Sequence, residues 1–303
     1  MVQTHRIKTV AVVGCTAVGK SAIALKLAHE FNGEIIGADS MQIYKKFDIG
    51  TGKLMLSERE GVVHKMIDIV DGDADFSVGE YVNIAKTAIA ETAVDGKLPI
   101  IVGGTGLYVN ALLSGCNFAD APKDEDVRNK LKIMSHFFGE KVIHAFLEAV
   151  DKVSAQNISP NDCKRTVRAL EIFLLSGKPK SVAAAAQSPY DYLVIVLTLP
   201  REILYDRINA RVHMMFDDGL IDETMALMKY KDCGSMQALG YKQIAAAPDA
   251  PREVLEALTA QKTRNYAKRQ ITYFKNMKLE KVFIDARDYE DIRRAVAEFT
   301  EKQ

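Results

Sequence analysis

Along the first hundred positions, apolar residues fall into short β-branched runs separated by stretches of helical spacing. Thr9-Val10-Ala11-Val12-Val13 predicts a strand ending in a glycine turn, and Ser21 to Phe31 follows with Ile23, Leu25, Leu27 and Ala28 on a helical repeat. Glu34-Ile35-Ile36-Gly37-Ala38 and Leu98-Pro99-Ile100-Ile101-Val102 predict two further strands, with a helix over Val78 to Val94 between them. Such alternation points to a parallel sheet covered on both faces. From about Asp120 the pattern changes: Pro122 to Ser188 is charged and helical, and β character returns only at Tyr192-Leu193-Val194-Ile195-Val196-Leu197. Arg201 to Met277 predicts long helices, and Val282-Phe283-Ile284 a last strand. The expected organisation is an α/β core over 1–120 and 189–303, interrupted by an all-helical insertion domain over 121–188.

The turn after the first strand adds chemistry. Gly14-Cys15-Thr16-Ala17-Val18-Gly19-Lys20-Ser21 satisfies G-x-x-x-x-G-K-[ST] with a strand before it and a helix after it, so the sheet is expected to be P-loop NTPase-like. Glycines at both ends let the backbone curl so that several N–H groups point inward, and the helix N-terminus adds the positive end of a dipole. Lys20 supplies a point charge for phosphate oxygens, and Ser21 can place its hydroxyl on Mg²⁺. The loop alone does not name a reaction, because nucleotide triphosphates and other diphosphates are gripped by similar contacts.

Composition narrows the setting. The chain has 303 residues, 48% hydrophobic and 26% charged, enough for a full core without disordered tracts. Its formal net charge is zero, so a nucleic-acid partner would be held by local basic patches. Cysteines 15, 116, 163 and 233 are too far apart for any usual zinc spacing. No stretch approaches the roughly 18 apolar residues of a membrane span, and Met1 to Lys8 carries no signal region, so a cytoplasmic protein without a membrane partner is expected. A monomer is the working expectation, with oligomeric state left open.

Other residues suggest partners for the loop. Asp39 follows the second strand, at the sheet end where open α/β folds bind ligands, and suits a general base; a helix cap or an outer ligand of Mg²⁺ is the plainer alternative. Thr105, after two glycines at another strand end, could reach the same cleft or serve as a turn residue. Lys164, Arg165 and Arg168 share a helical face, as phosphate contacts or as solvated charge. From these residues alone an ATP-dependent small-molecule kinase and a non-catalytic nucleotide switch that binds RNA both stay open.

An ordered set of segments separates these readings. Asp39-Ser40-Met41-Gln42-Ile43-Tyr44, Asp48-Ile49-Gly50-Thr51-Gly52-Lys53, Gly103-Gly104-Thr105-Gly106-Leu107-Tyr108, Asn161 to Glu171, Arg207 to Val212, Gly219 to Glu223, Leu239-Gly240-Tyr241-Lys242 and Thr263 to Gln270 follow the P-loop in sequence. Together the chain resembles the bacterial tRNA dimethylallyltransferase family, also called tRNA isopentenyltransferase, over nearly its whole length. The resemblance implies transfer of a dimethylallyl group from dimethylallyl diphosphate to N6 of adenine 37 in tRNA, by in-line displacement with pyrophosphate leaving and Mg²⁺ as cofactor. It implies that Gly14 to Ser21 bind the diphosphate, with Thr16 near the bridging oxygen, and that Arg211 and the Lys268-Arg269 pair close over it. Asp39 would accept the N6 proton. Ser40, Met41 and Gln42 would meet the target base and its neighbours, and Thr105 the tRNA. Arg128, Lys164, Arg165, Thr166, Val167 and Arg168 would contact tRNA from the insertion. The chain departs from the family pattern at Cys163 and Lys164, where Pro and Gln are usual, at Lys65, where a second His is common, and at Tyr273, where Trp is common.

Overall fold

The computed structural model describes residues 6–115, 123–183 and 188–302. The chain divides into two compact units, Met1–Leu113 with Pro189–Gln303, and Ser114–Ser188. The boundary expected at residues 120 and 121 lies outside the described residues, as does Cys116.

In the first unit, β1 (Ile7–Gly14), β2 (Gly33–Gly37), β3 (His64–Lys65), β4 (Leu98–Gly103), β5 (Tyr190–Thr198) and β6 (Val282–Asp285) form one sheet. Their order is β3-β2-β4-β1-β5-β6, and every pairing is parallel. β1 is central, with Val12 opposite Val102 on one side and Ile195 on the other. Val10, Ala11, Val12 and Val13 are all fully buried, which is why β1 is a continuous apolar run instead of an alternating one. Because the chain leaves β1 in one direction and later returns on its other side, β1 marks the reversal of strand order. Parallel sheets bind ligands at the carboxyl ends of strands beside such a point.

Helices α1 (Lys20–Glu30), α2 (Val78–Val94) and α3 (Gly106–Leu113) precede the second unit. The second unit contains α4 (Glu125–Phe138), α5 (Glu140–Val150), α6 (Lys152–Asn157), α7 (Cys163–Ser176) and α8 (Lys180–Ala183). After it come α9 (Arg201–Asp217), α10 (Leu220–Ala226), α11 (Tyr241–Ala246), α12 (Arg252–Asn276) and α13 (Tyr289–Glu301). The α2 start is set by a reciprocal cap: the Glu80 N–H donates to the Ser77 hydroxyl, and the Ser77 N–H donates back to the Glu80 carboxylate. Leu131, Ile143, Leu147, Val167 and Leu170 form the core of the second unit, whose helices α4 and α7 begin on the side chains of Asp124 and Asp162. No helix among the described residues is long and apolar enough to cross a membrane.

Three elements, β3, α3 and α13, were not among the sequence expectations. β3 is only two residues long, too short for periodicity to register, and is tied to its neighbours through polar side chains. Its Lys65 reaches Glu34 of β2 at 3.0 Å, while Lys97 and Thr92 each donate to the same carboxylate at 2.8 Å. Burial pushes the Glu34 carboxyl up, but these three donors together outweigh it and hold it down at about 2. In α13, Ile292, Ala295, Val296 and Phe299 stand at i, i+3, i+4 and i+7, a helical repeat beyond the last expected strand, where no element was expected from the sequence.

Candidate active site

β1 delivers the phosphate loop to the carboxyl end of the sheet. Gly19 stands at φ 105° immediately before α1, a backbone conformation that a side chain would strain. Cys15 and Val18 are buried side chains, and with Gly14 and Ala17 they give the loop its backbone. The side chains of Thr16, Lys20 and Ser21 instead line a pocket of about 360 Å³. Thus, of the eight loop residues, three present functional side chains to the pocket.

Asp39, Ser40, Met41 and Gln42, which follow β2, line the same pocket. Arg211 and Met215 reach it from adjacent turns of α9, and Tyr266, Arg269 and Gln270 from α12. The Asp39 carboxylate accepts the Met41 N–H at 2.9 Å, which fixes its direction at the strand end. Lys20 donates to the Cys15 carbonyl at 2.8 Å, folded back along its own loop. Burial lowers the Lys20 ammonium to about 8; the Cys15 and Asp39 side chains oppose that shift, and Arg211 adds to it. Burial lowers Arg211 as well, again against the attraction of Asp39. The arrangement is one carboxylate and three cations, Lys20, Arg211 and Arg269, around a polar space that also has the apolar side chains of Met41, Val212, Met215 and Leu239 in its wall. Such a site can hold an anion that carries an apolar tail, with a carboxylate beside it.

Three expectations change. Thr105 is not in the pocket wall: it stands behind Ser40, whose N–H donates to the Thr105 hydroxyl oxygen at 3.0 Å, so its hydroxyl supports the turn that carries Asp39. Gln42 lines the pocket, but its amide nitrogen donates to the carbonyls of Thr51 (3.1 Å) and Gly52 (3.3 Å). Its N–H groups therefore hold the 48–53 loop. That loop is held from below by Glu223, whose carboxylate accepts the N–H groups of Asp48, Ile49 and Gly50 and the Tyr241 hydroxyl. Finally, the Lys268-Arg269 pair is split. Arg269 lines the pocket beside the Tyr266 ring, whereas Lys268 is exposed outside the wall.

In the helical unit the basic residues also divide. Arg128 and Arg168 both bond to the fully buried Glu171 carboxylate, which also accepts the Asp124 N–H, so they carry structure as well as charge. Thr166 and Val167 are buried, and their side chains do not share the surface that the expectation gave them. Lys164 and Arg165 are the exposed members; Arg165 is 70% accessible despite an ion pair with Asp162.

Sequence reasoning assigned no role to Gln270, Tyr266 or Glu223. The available signal was spacing: Thr263, Tyr266 and Gln270 recur at i, i+3 and i+7, one helical face carrying polar groups where an apolar stripe is usual.

Comparison with known proteins gives a consistent result. A model of the IPP transferase family matches residues 42–277, and an isopentenyl transferase model matches 7–73. The tRNA dimethylallyltransferase of Thermoanaerobacter sp. (strain X514) is 42% identical over 97% of each chain, and that of Halalkalibacterium halodurans is 44% identical over 89% of this chain and 88% of the relative. Among solved structures, the full-length tRNA isopentenylpyrophosphate transferase from Bacillus halodurans superposes with a TM-score of 0.72 at 40% identity, covering 97% of both chains. A eukaryotic dimethylallyltransferase acting on tRNA gives a TM-score of 0.80 at 29% identity, over 96% of this chain and 78% of that one.

Proposed function

The chain belongs to the IPP transferase family of tRNA dimethylallyltransferases, and from that premise we propose how its pocket carries out the transfer. The enzyme moves a dimethylallyl group to tRNA. The donor in this reading is dimethylallyl diphosphate, and the acceptor is the N6 amine of adenine 37. The observation that carries it is the convergence of Thr16, Lys20, Asp39 and Arg211 on one pocket.

The N6 nitrogen attacks C1 of the dimethylallyl group as the C1–O bond breaks. Pyrophosphate departs with the bonding pair, and the proton lost from N6 passes to the Asp39 carboxylate. An exocyclic amine is a poor nucleophile because its lone pair is delocalised into the ring, so removing its proton as the bond forms matters. Lys20, Arg211, Arg269 and the inward loop amides neutralise the charge that grows on the leaving group, and the Thr16 hydroxyl donates toward its bridging oxygen. Met41, Val212, Met215 and Leu239 exclude water from the apolar tail.

Ser21 presents a hard oxygen donor in this pocket, and the described residues form no group of three metal-ligating side chains. That donor set fits Mg²⁺, which takes most of its ligands from phosphate oxygens and water. Bound there, Mg²⁺ would neutralise the diphosphate. Lys164 and Arg165 contact tRNA phosphates from the helical unit, with Arg128 and Arg168 adding charge behind them. A single chain supplies every group the reading uses, so a monomer in the cytoplasm is the expected active species.

The test is incubation with labelled dimethylallyl diphosphate, Mg²⁺ and unmodified tRNA, with AMP and ATP as alternative substrates. Label is expected on tRNA and absent from AMP. Phosphate transfer from ATP with no label on tRNA would establish a kinase instead.

A further inference from the structure

Gln270 is buried on the pocket face of α12 and bonds to two different strand-end turns. Its Oε1 accepts the Thr16 N–H at 2.9 Å, and its Nε2 donates to the Gly104 carbonyl at 2.9 Å. A backbone N–H only donates and a carbonyl only accepts, so these partners dictate which way the amide points. Tyr266, one turn earlier, lines the same pocket wall as Gln270. Gly104 carries no side chain for a local reason: a Cβ there would collide with Gln270 Nε2. Thr105 in turn holds the Ser40 N–H at 3.0 Å, next to Asp39.

We propose that Gln270 is a positioning residue for the transfer, a brace that sets the distance between Thr16 on the leaving-group side and Asp39 on the amine side. It touches no reacting atom and acts through Thr16 and the Gly103–Thr105 turn. The inference rests on the roles given above to Thr16 and Asp39. In a displacement, the breaking C–O bond and the forming C–N bond share one carbon, so the two sides of the pocket must keep their spacing while both bonds are partial. A misplacement of about 1 Å can cost on the order of a hundredfold in rate.

Gln270→Leu keeps the volume but loses both bonds. Gln270→Glu retains the acceptor for Thr16 N–H, while its second oxygen faces the Gly104 carbonyl and repels it. Once protonated, that oxygen donates, and both bonds return. Single-turnover transfer of labelled dimethylallyl to tRNA is therefore measured for wild type and both variants between pH 6 and 8, with KM for each substrate and thermal midpoints alongside. Gln270→Leu is expected to be roughly 10- to 100-fold slower at saturation, with each KM changed less than about threefold. Gln270→Glu is expected to recover, relative to wild type at the same pH, as pH falls. A wild-type rate for Gln270→Leu overturns the inference. So does a rate loss that is matched by a rise in KM for dimethylallyl diphosphate, which would make Gln270 a binding group. If Gln270→Leu does not fold, the Glu variant decides, and a pH profile parallel to wild type overturns the brace. Failure of the wild-type protein to label tRNA would strike at the transfer reading itself.

Discussion

Asp39 and Lys20 sit on opposite tasks within one pocket, and each has its own signature. Replacing Asp39 by Ala removes the proposed proton acceptor without touching the helical unit, so the chemical step should slow by about 10²–10⁴-fold while tRNA affinity holds. Rapid-quench transfer assays beside tRNA binding measure this, and an unchanged rate would take Asp39 out of the base role. Lys20 grips a polyanion only as an ammonium ion. Burial has lowered it to about 8, so the cation is present below that pH and lost above it. Affinity for dimethylallyl diphosphate should therefore weaken by roughly five- to tenfold between pH 7.5 and 9. Lys20→Arg, which stays charged throughout, should flatten that dependence in a calorimetric titration. At this scale the loop motif disclosed Lys20 and Ser21 from sequence because their spacing is local. The Thr105 contact with Ser40 joins positions 65 residues apart, and nothing in either segment names the other.

Among elements, β3 is the one least supported by its own backbone, and Glu34 compensates. The carboxylate joins β2 to Lys65 of β3, to Thr92 of α2 and to Lys97 just before β4. Its folded value, about 2, lies below the ordinary 4.5, so the stabilisation is complete above pH 4.5 and disappears as pH falls toward 2. On the order of 2–3 kcal/mol is at stake. Acid titration of stability should show this loss, and Glu34→Gln should shallow the curve over that window; a slope identical to wild type would refute the tie. Lys65, a departure from the family pattern, thus has a structural explanation. The strands of the central sheet and the full span of α2 were legible because burial on both faces, or a cap plus a 3.6-residue repeat, writes itself into neighbouring residues. β3 and the Glu34 cluster were not, since their stability comes from charges brought together across the chain. The same holds in α7, where Arg168 shares a face with Lys164 and Arg165 yet turns to Glu171.

For the whole molecule, zero net charge means that attraction to tRNA has no global field behind it and depends on a few exposed cations. Lys164 and Arg165 are the exposed pair in α7. Changing both to Ala should weaken tRNA binding and reduce the slope of log K against log salt by about 1.5, without altering the rate at saturating tRNA. Retained affinity and slope would return them to solvated surface. The fold class followed from the alternating pattern, but the pocket's far wall did not, because α12 contributes to it from the other end of the chain. The bond from Thr16 to Gln270 spans 254 positions. During synthesis, the phosphate loop leaves the ribosome long before α12 is made, and β1 must wait for β5 until the helical unit has emerged between them. A chain stalled before residue 270 carries the full loop motif but lacks the glutamine that ties Thr16 to the Gly104 turn.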